Sequence, residues 1–481
     1  MAIKNRRLTD EEFGRQRAEV LSEWSTGAEV DFEEGIAFNK TLPPSKNYAE
    51  QLAMAKETGA MLTRSDTGVP SIEEQTDYLS HLQDAGRSDL FGVIIDSLTR
   101  THQYEAAEEA IEKSRRTREW FLNGFPIVHY GVAKTRTLTQ AVDRPLQLRG
   151  VAPDWRLILE MGLAAGFTAS SGAGFISFSQ FSKRVPIETT VRNYQYNYAL
   201  MGRYEEAGVP MLPEISGGVG VLTPNSLLHA ATVVDAIIAA EQGVKNMSLM
   251  VHTQGNFAQD VAAMRALPQV CGEYLDELGY KGVTLSVVAT SWSGKFPEDA
   301  YESLAAICLG VLAAVAGGVQ VVHVKTMQEA VAIPRKEANA ASLRAGKKVI
   351  EMVRVQKLEF EQNTLDTELR MQVVETRAIV DRILEMGDGD VIAGAIQAAD
   401  AGVLDQVFAT NQNVAGKVIG VRDARGAVRY LDHGNLPFGA EILEFHKSKI
   451  AERESGRDAP VDYDTVVQDL FSISAGELVP G

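Results

Sequence analysis

Residues 226–252 read SLLHAATVVDAIIAAEQGVKNMSLMVH and contain a complete helix-to-strand unit. Apolar side chains recur at helical spacing from Ser226 onward, and Gly243 stands where helices usually stop. The run NMSLMVH at 246–252 is apolar on both faces, which is typical of a strand covered by helices on two sides. This segment therefore predicts a buried strand in a parallel sheet.

The same pattern repeats on both sides of this segment. Strand alternating with helix implies parallel pairing, and eight such units predict an α/β fold with a closed (β/α)8 TIM barrel. A doubly wound open sheet is the alternative. The other predicted strands lie between helical stretches, at 91–97, 125–131, 145–150, 166–170, 209–216, 283–289 and 319–325.

Additional structure is expected at both ends of the barrel. We predict a helical elaboration over 1–89, the barrel as the catalytic domain over 90–345, and a helical and hairpin elaboration over 346–481. Residues 379–387 have a helical pattern, and VIGVRDARGAVRYLD at 418–432 predicts a hairpin that turns at Arg425-Gly426.

The composition excludes several classes of protein. The chain has 481 residues with a formal net charge of −17, which disfavours nucleic-acid binding because that requires a positive surface. Only Cys271 and Cys308 occur, so neither a disulfide framework nor a multi-cysteine zinc site is possible.

No secretory signal is visible in MAIKNRRLTDEEF, and a cytoplasmic location is predicted. The apolar run 304–322 is broken by Gly317-Gly318, which favours a buried helix, a turn and a strand over a membrane span.

Polar residues stand at the ends of several predicted strands. The active site of a parallel barrel lies at these carboxyl ends, which are marked here by Arg149, Glu214, His252 and Lys325, with Arg100 a few residues after a strand. Two arginines at one mouth suit an anionic substrate, since a guanidinium binds a carboxylate with two parallel hydrogen bonds. A surface ion pair remains the alternative for each arginine.

Lys325 allows two interpretations. Burial lowers the pKa of a lysine and would suit a Schiff-base nucleophile, but Glu329 lies one helical turn on and could hold Lys325 as a fixed cation. His129 and His323 fall inside predicted strands, where a hydrogen-bonded core histidine is expected. The histidines show no paired metal spacing, so no metal site is predicted.

Stretches distributed along the chain carry a family resemblance. They are LTDEEFGRQRAEVL (8–21), STGAEVDFEEGIAF (25–38), LNGFP (122–126), PLQLRG (145–150), AAEQGVKN (239–246), GNFAQDVAAMRAL (255–267), KFP (295–297), VKTMQEAVAIPRKEANAA (324–341) and VRDARGAVRYLDHGNLPF (421–438). Together they resemble the large (epsilon) subunit of adenosylcobalamin-dependent glutamate mutase, also called methylaspartate mutase. The segment around Lys325 is the most specific.

The resemblance implies an isomerase of the intramolecular transferase class. Its barrel mouth would be capped by adenosylcobalamin, and a radical would rearrange the carbon skeleton of L-glutamate to 3-methylaspartate, or of a related carboxylic acid. Most cobalamin contacts would come from a small subunit carrying D-x-H-x-x-G, a motif that this sequence lacks. The family implies a heterotetramer with two copies of this chain, and no membrane or nucleic-acid partner is expected.

The resemblance also assigns binding residues, and no catalytic residue. Gln180 replaces a proline that contacts the cofactor in the family. The positions that match the cofactor contacts are Gly68, Asn123, Phe296, Lys325, Glu329 and Ile333.

The substrate positions depart from the family. Arg100 and Arg149 match two of three substrate arginines, and Gly150 is retained. The third arginine position holds Asp66, with Arg64 as a possible substitute two residues away. The position of the glutamate that receives the substrate ammonium holds Ser171, and two tyrosine positions hold Ser177 (or Phe178, if the register slips by one) and Phe181.

Four hypotheses follow from the sequence. The chain acts on L-glutamate, or it performs the same radical chemistry on another acid because Asp66, Ser171 and Phe181 replace substrate contacts. The alternatives are a barrel lyase that uses Lys325 as a Schiff base, and a non-catalytic paralogue.

Overall fold

The computed structural model describes residues 3–331, 333–356, 358, 361–457 and 459–479. Its centre is a closed barrel of eight parallel strands in sequence order, and β1 pairs with β8 to complete the circle. The predicted (β/α)8 TIM barrel is therefore confirmed. The strands are β1 (Leu62–Thr67), β2 (Leu90–Ile94), β3 (Leu146–Arg149), β4 (Ala169–Gly172), β5 (Leu212–Ile215), β6 (Asn246–His252), β7 (Thr284–Thr290) and β8 (Val321–His323).

Helices connect the strands and form the outer layer. Those of the N-terminal part are α1 (Asp10–Leu21), α2 (Phe32–Thr41) and α3 (Tyr48–Thr58). Those of the barrel are α4 (Ile72–Asp84), α5 (Ser97–Arg100), α6 (Tyr104–Thr117), α7 (Ile127–Ala141), α8 (Arg156–Ala164), α9 (Ser177–Phe181), α10 (Ile187–Glu206), α11 (Asn225–Glu241), α12 (Phe257–Glu277), α13 (Ala300–Gly317) and α14 (Lys336–Val353).

The C-terminal part packs against the outside of the barrel. Helix α15 (Gln362–Met386) contacts α11 and α12 and is followed by α16 (Val391–Ala401). The predicted hairpin is confirmed as β9 (Ile419–Arg422) antiparallel to β10 (Val428–Asp432), and α17 (Ala440–Glu454) and α18 (Tyr463–Ala475) follow. Arg429 joins this hairpin to α15 through a buried ion pair with Glu368.

Two strand assignments need correction. The predicted strand at 125–131 is wrong: Phe125 makes an isolated bridge with Ile95, and α7 begins at Ile127. A short apolar run does not distinguish a strand from the start of a buried helix. Strand β1, which no apolar run predicted, lies within the 1–89 segment, so the barrel begins before residue 90. The division of the chain at 89 and 345 stays a prediction.

The apolar stretch 304–322 forms a barrel helix, a turn and a strand, as expected. Asp299 caps α13 by accepting from Tyr301 N at 2.9 Å, and Gly318 ends it with φ of 73°. Within the described residues, α13 is the one helix long and apolar enough to cross a membrane. It packs between α12 and α14, and its buried residues include Ile307, Val311 and Ala314.

The amino end of the barrel is closed by apolar side chains. Tyr48, Leu52 and Ala55 of α3 form a cluster with the residues that open several strands, among them Leu62 and Leu90. This packing leaves the carboxyl end as the open end of the barrel.

Candidate active site

A cavity of about 410 Å³ lies at the carboxyl ends of the strands. Its walls come from β1, β2, β3, β6, β7 and β8 and from loops at the same end of the barrel. Seven of the fourteen positions that the resemblance assigns line it, namely Asp66, Gly68, Asn123, Arg149, Lys325, Glu329 and Ile333. His252, predicted from the end of its strand, lines it as well.

The inner end of the cavity is a cluster of four ionised side chains. Arg149 donates from Nε to Asp66 Oδ2 at 2.8 Å and from Nη1 to Glu214 Oε1 at 2.6 Å. Arg64, which is fully buried, pairs with Glu214 and lies with Nε 3.2 Å from Asp66 Oδ1. Since two arginines face two carboxylates, the cluster is neutral as a whole.

Burial alone would favour the neutral forms of these groups. It opposes the charge on Asp66, but Arg149, His323 and Arg64 outweigh it and hold the pKa of Asp66 below its usual range. Burial likewise works to lower the pKa of Arg64, yet Glu214 and Asp66 raise that pKa above its ordinary value. Asp66 and Arg64 are therefore both ionised at neutral pH.

Gly92 makes room for this cluster. It lies on β2, whose register places it beside Asp66, and a Cβ there would collide with Asp66 Oδ1 and lie 2.5 Å from Arg149 Cγ. A side chain at this position would have to displace both members of the ion pair.

Two histidines of the cavity are held neutral. His323 donates from Nε2 to Asp66 Oδ2 at 3.2 Å and accepts at Nδ1 from Thr290, 3.0 Å away. Burial depresses the pKa of His323 well below its ordinary value, and the nearby arginines and Lys325 add to this effect.

His252 is fixed in a similar way. Ser216 donates its hydroxyl hydrogen to Gly218 O, so His252 donates from Nε2 to Ser216 at 3.2 Å. Its Nδ1 accepts from Ser293 at 2.9 Å. Burial, together with the charges of Lys325 and Arg149, lowers the pKa of His252 to about 3.

Lys325 and Glu329 form a pair at the rim of the cavity. The Lys325 ammonium lies 3.1 Å from Glu329 Oε1 and 5.2 Å from the centroid of the buried Phe296 ring. Of the two interpretations of Lys325, the structure shows the fixed cation paired with Glu329. Gly68 and Asn123 lie on the same cavity, where Asn123 accepts from Ser97 N at 2.9 Å.

Several predicted residues are placed outside the cavity. Arg100 donates from Nε to Ile95 O at 2.9 Å and from Nη1 to Val151 O at 3.0 Å, with Gly150 packed against its side chain. Burial lowers the pKa of Arg100, and Asp96 partly offsets that effect. The guanidinium therefore braces the two loops that carry these carbonyls.

The residues of the loop after β4 have other neighbours. Gln180 accepts from Val219 N at 2.8 Å and donates to Val407 O at 3.2 Å. Ser177 is buried and donates to Ala152 O at 3.3 Å, while Phe181 is partly exposed. Phe178, the alternative to Ser177, is also buried.

Comparisons with known proteins show the family of the chain. The family model described as methylaspartate mutase E chain (MutE) matches residues 42–481. The chain belongs to the methylaspartate mutase E chain family. It is therefore part of an isomerase of the intramolecular transferase class.

Relatives within the methylaspartate mutase family match over their whole length. A protein of Desulfitobacterium hafniense named glutamate mutase epsilon subunit is 41% identical over 100% of this chain and 99% of its own. A protein of Treponema denticola with the same name is 39% identical over the same shares. A solved structure of phosphonopyruvate hydrolase with oxalate and Mg²⁺ covers 69% of this chain and 99% of its own at 14% identity, and its TM-score of 0.32 is too low to support an argument.

Two of the predicted substrate positions, Asp66 and Ser171, lie in the charged cluster. Asp66 contacts Arg149 directly, and Ser171 donates to Glu214 Oε1 at 2.9 Å and also contacts Arg149. Arg64 is buried beneath the cavity and does not line it, so its guanidinium is not placed to bind a substrate.

Some cavity residues were not anticipated from the sequence. The prediction for His129 needs correction, because His129 lies on α7, where its Nε2 contacts Tyr104 O at 2.8 Å. His323 is buried and hydrogen-bonded on β8, as expected, and it also lines the cavity. Thr290 and Ser293, which hold the two cavity histidines, were missed although they end or follow β7. The strand-end rule would have found both.

Proposed function

We propose that this chain is the larger subunit of an adenosylcobalamin-dependent carbon-skeleton mutase that rearranges a small carboxylic acid, with L-glutamate as the family's substrate. The observation that supports it most is the joint position of Lys325 and Glu329 at the rim of a cavity whose inner end carries Arg149. The charged pair at the rim suits a cofactor that covers the open end of the barrel. The guanidinium of Arg149, deeper in the cavity, suits the carboxylate of an acid bound beneath that cofactor.

The rim residues fit the adenosyl part of the cofactor. Lys325 and Glu329 offer a donor and an acceptor to ribose hydroxyls, and Gly68 lets a ligand approach the backbone closely. A Cβ at Gly68 would lie 2.5 Å from Ile94 O, so only glycine fits there. When bound, adenosylcobalamin supplies a carbon-centred radical through cleavage of its Co–C bond.

The residues of the chain bind, orient and shield. Arg149 would anchor a substrate carboxylate through Nη2, the nitrogen that makes no hydrogen bond within the described part of the chain. Both cavity histidines use both ring nitrogens on protein groups. A site whose imidazoles are occupied in this way suits hydrogen-atom transfer better than proton transfer.

A partner subunit is part of the proposal. We propose a small cobalamin-binding subunit with the motif D-x-H-x-x-G, which would cover the open end, in a heterotetramer with two copies of this chain. The unpaired Cys271 and Cys308 are consistent with the cytoplasm as its location. The Schiff-base lyase is disfavoured, because Lys325 is paired with Glu329.

The substrate position has a second candidate. Asp66, Ser171 and Phe181 stand where the family carries residues that hold glutamate, and Asp66 lies within the cavity. A related acid other than L-glutamate is therefore the alternative substrate.

The test uses the complex of this chain with its small subunit. Adenosylcobalamin binding is followed by the absorption spectrum, and radical formation with L-glutamate is followed by the electron paramagnetic resonance of cob(II)alamin. Lys325→Met should weaken cofactor binding at least tenfold, whereas Lys336→Met, which removes an exposed lysine paired with Asp77, should not. A wild-type complex that leaves the cofactor spectrum unchanged would contradict the proposal.

A further inference from the structure

The donors of Arg149 are largely used within the chain. Nε donates to Asp66 and Nη1 donates to Glu214 and Ser171, so both edges that could grip a carboxylate with two bonds are shared with protein groups. Nη2 is the one nitrogen of the guanidinium that has no hydrogen-bond partner among the described residues. An incoming carboxylate therefore meets one guanidinium nitrogen instead of an open fork.

The other charges around the cavity are also compensated. Arg64 faces Glu214 and Asp66, and Lys325 faces Glu329. The three cations and three carboxylates balance, and the cavity histidines are neutral. Arg100 donates to two backbone carbonyls and does not line the cavity. A ligand with a second carboxylate would bring an anion for which the described residues hold no free cation.

The remaining cavity wall suits an uncharged group. Met250 and Val324 are apolar, while Tyr78 and Asn339 supply neutral hydrogen-bonding groups. Of these, Tyr78 already donates to Pro334 O at 2.9 Å, so the wall is polar without carrying charge.

We propose that the acid taken by this site carries a single carboxylate, bound at Arg149, and an uncharged group at its other end. The inference rests on the proposed mutase function and selects its second candidate substrate, an acid other than L-glutamate, because L-glutamate carries two carboxylates. Asp66 is then a specificity-determining residue: it excludes dicarboxylates by neutralising Arg149, and it holds His323 in one orientation.

Two probes of matched size separate the possibilities. Glutarate carries two carboxylates, and its half-amide, 4-carbamoylbutanoate, carries one. Isothermal titration calorimetry of each into the complex loaded with adenosylcobalamin should give a dissociation constant at least tenfold lower for the half-amide. Equal affinity, tighter binding of glutarate, or binding of neither probe overturns the proposal.

A variant of Asp66 tests whether this residue causes the preference for the half-amide over glutarate. Asp66→Asn keeps the size of the side chain but removes its charge, which releases Arg149 and leaves the cluster with a net positive charge. Both probes should then bind more tightly, but glutarate should gain more because its second carboxylate is also attracted, so the preference for the half-amide should fall below about threefold. Asp77→Asn, on the exposed face of α4, should change neither affinity. A preference that Asp66→Asn leaves intact would overturn the role of Asp66.

The spectrum of adenosylcobalamin on binding reports on the proposed function without any acid present. A complex that binds the cofactor but prefers glutarate refutes the single-carboxylate inference alone. A complex that does not bind the cofactor refutes the proposed function.

Discussion

Replacement of Gly92 by alanine tests the geometry of the charged cluster directly. The new methyl group would collide with Asp66 Oδ1 and lie 2.5 Å from Arg149 Cγ, so both partners of a buried ion pair must shift. Overpacking a core costs about 1–3 kcal/mol, and breaking a buried pair costs about 3–5 kcal/mol. We expect Gly92→Ala to lower the free energy of unfolding by about 3 kcal/mol.

The loss should be measurable as a small shift of the melting temperature. Unfolding entropy of about 2.1 cal/mol/K per residue gives about 1 kcal/mol/K for a chain of this size, so the midpoint should fall by about 3 °C in calorimetry. Because Arg149 must also move, the affinity of the loaded complex for its acid should fall at least tenfold.

Gly14→Ala is the matched control for the added methyl group. A Cβ at Gly14 of α1 meets nothing within 4 Å, so this variant should gain up to about 1 kcal/mol from helix propensity and keep its acid affinity. If Gly92→Ala is as stable as the wild type and binds acid equally well, the cluster does not have the geometry described.

Three further variants test other parts of the molecule. Arg64→Met should lower the free energy of unfolding by about 3 kcal/mol, and adding Glu214→Gln should cost less than the sum of both, with a coupling above about 1 kcal/mol in urea unfolding. Leu52→Ala, at the closed amino end, should cost about 2–5 kcal/mol without weakening cofactor binding, and a weaker cofactor affinity would contradict that placement. Burial lowers the pKa of His229 to about 3, so between pH 7 and pH 5 its imidazole takes up a proton only in the unfolded chain, and the free energy of unfolding falls. His229→Gln should reduce this fall by about 2 kcal/mol, measured by urea unfolding at the two pH values. A fall of the same size in the variant would contradict the burial of His229.

The fold was largely predictable because most barrel strands have apolar residues on both faces. The run at 246–252 has the same bounds as β6, since its sequence is apolar and is flanked by clear helix signals. Strand β1 escaped prediction because LTRSDT is polar. Its polarity is compensated by partners far along the chain, such as Glu214 for Arg64, and no local pattern reveals such a pairing.

The sequence predicted which residues lie on the cavity, but it did not predict which side chains contact one another there. The strand-end rule and the family resemblance together located Arg149, Lys325 and Glu329 on one cavity. They did not show that Asp66 neutralises Arg149, or that Arg64 lies beneath the cavity. These facts depend on the register between β1, β2 and β3 and on the absence of a side chain at Gly92.

The uneven distribution of charge inside the barrel favours a binding role for the cluster over a stabilising one. Burying four ionised groups carries a desolvation cost of several kcal/mol for each ion, and well-packed apolar residues often replace such groups without loss of stability. The amino end of this same barrel is filled in that way, by Leu52 and its neighbours. Because apolar residues can pack the interior of this barrel, stability does not require charged residues at its carboxyl end. Their presence there is better explained by the binding of a charged ligand. The cluster is neutral and leaves one guanidinium nitrogen free, so it binds one carboxylate. An acid with a second carboxylate brings a negative charge that no free cation compensates, and the site therefore selects against it.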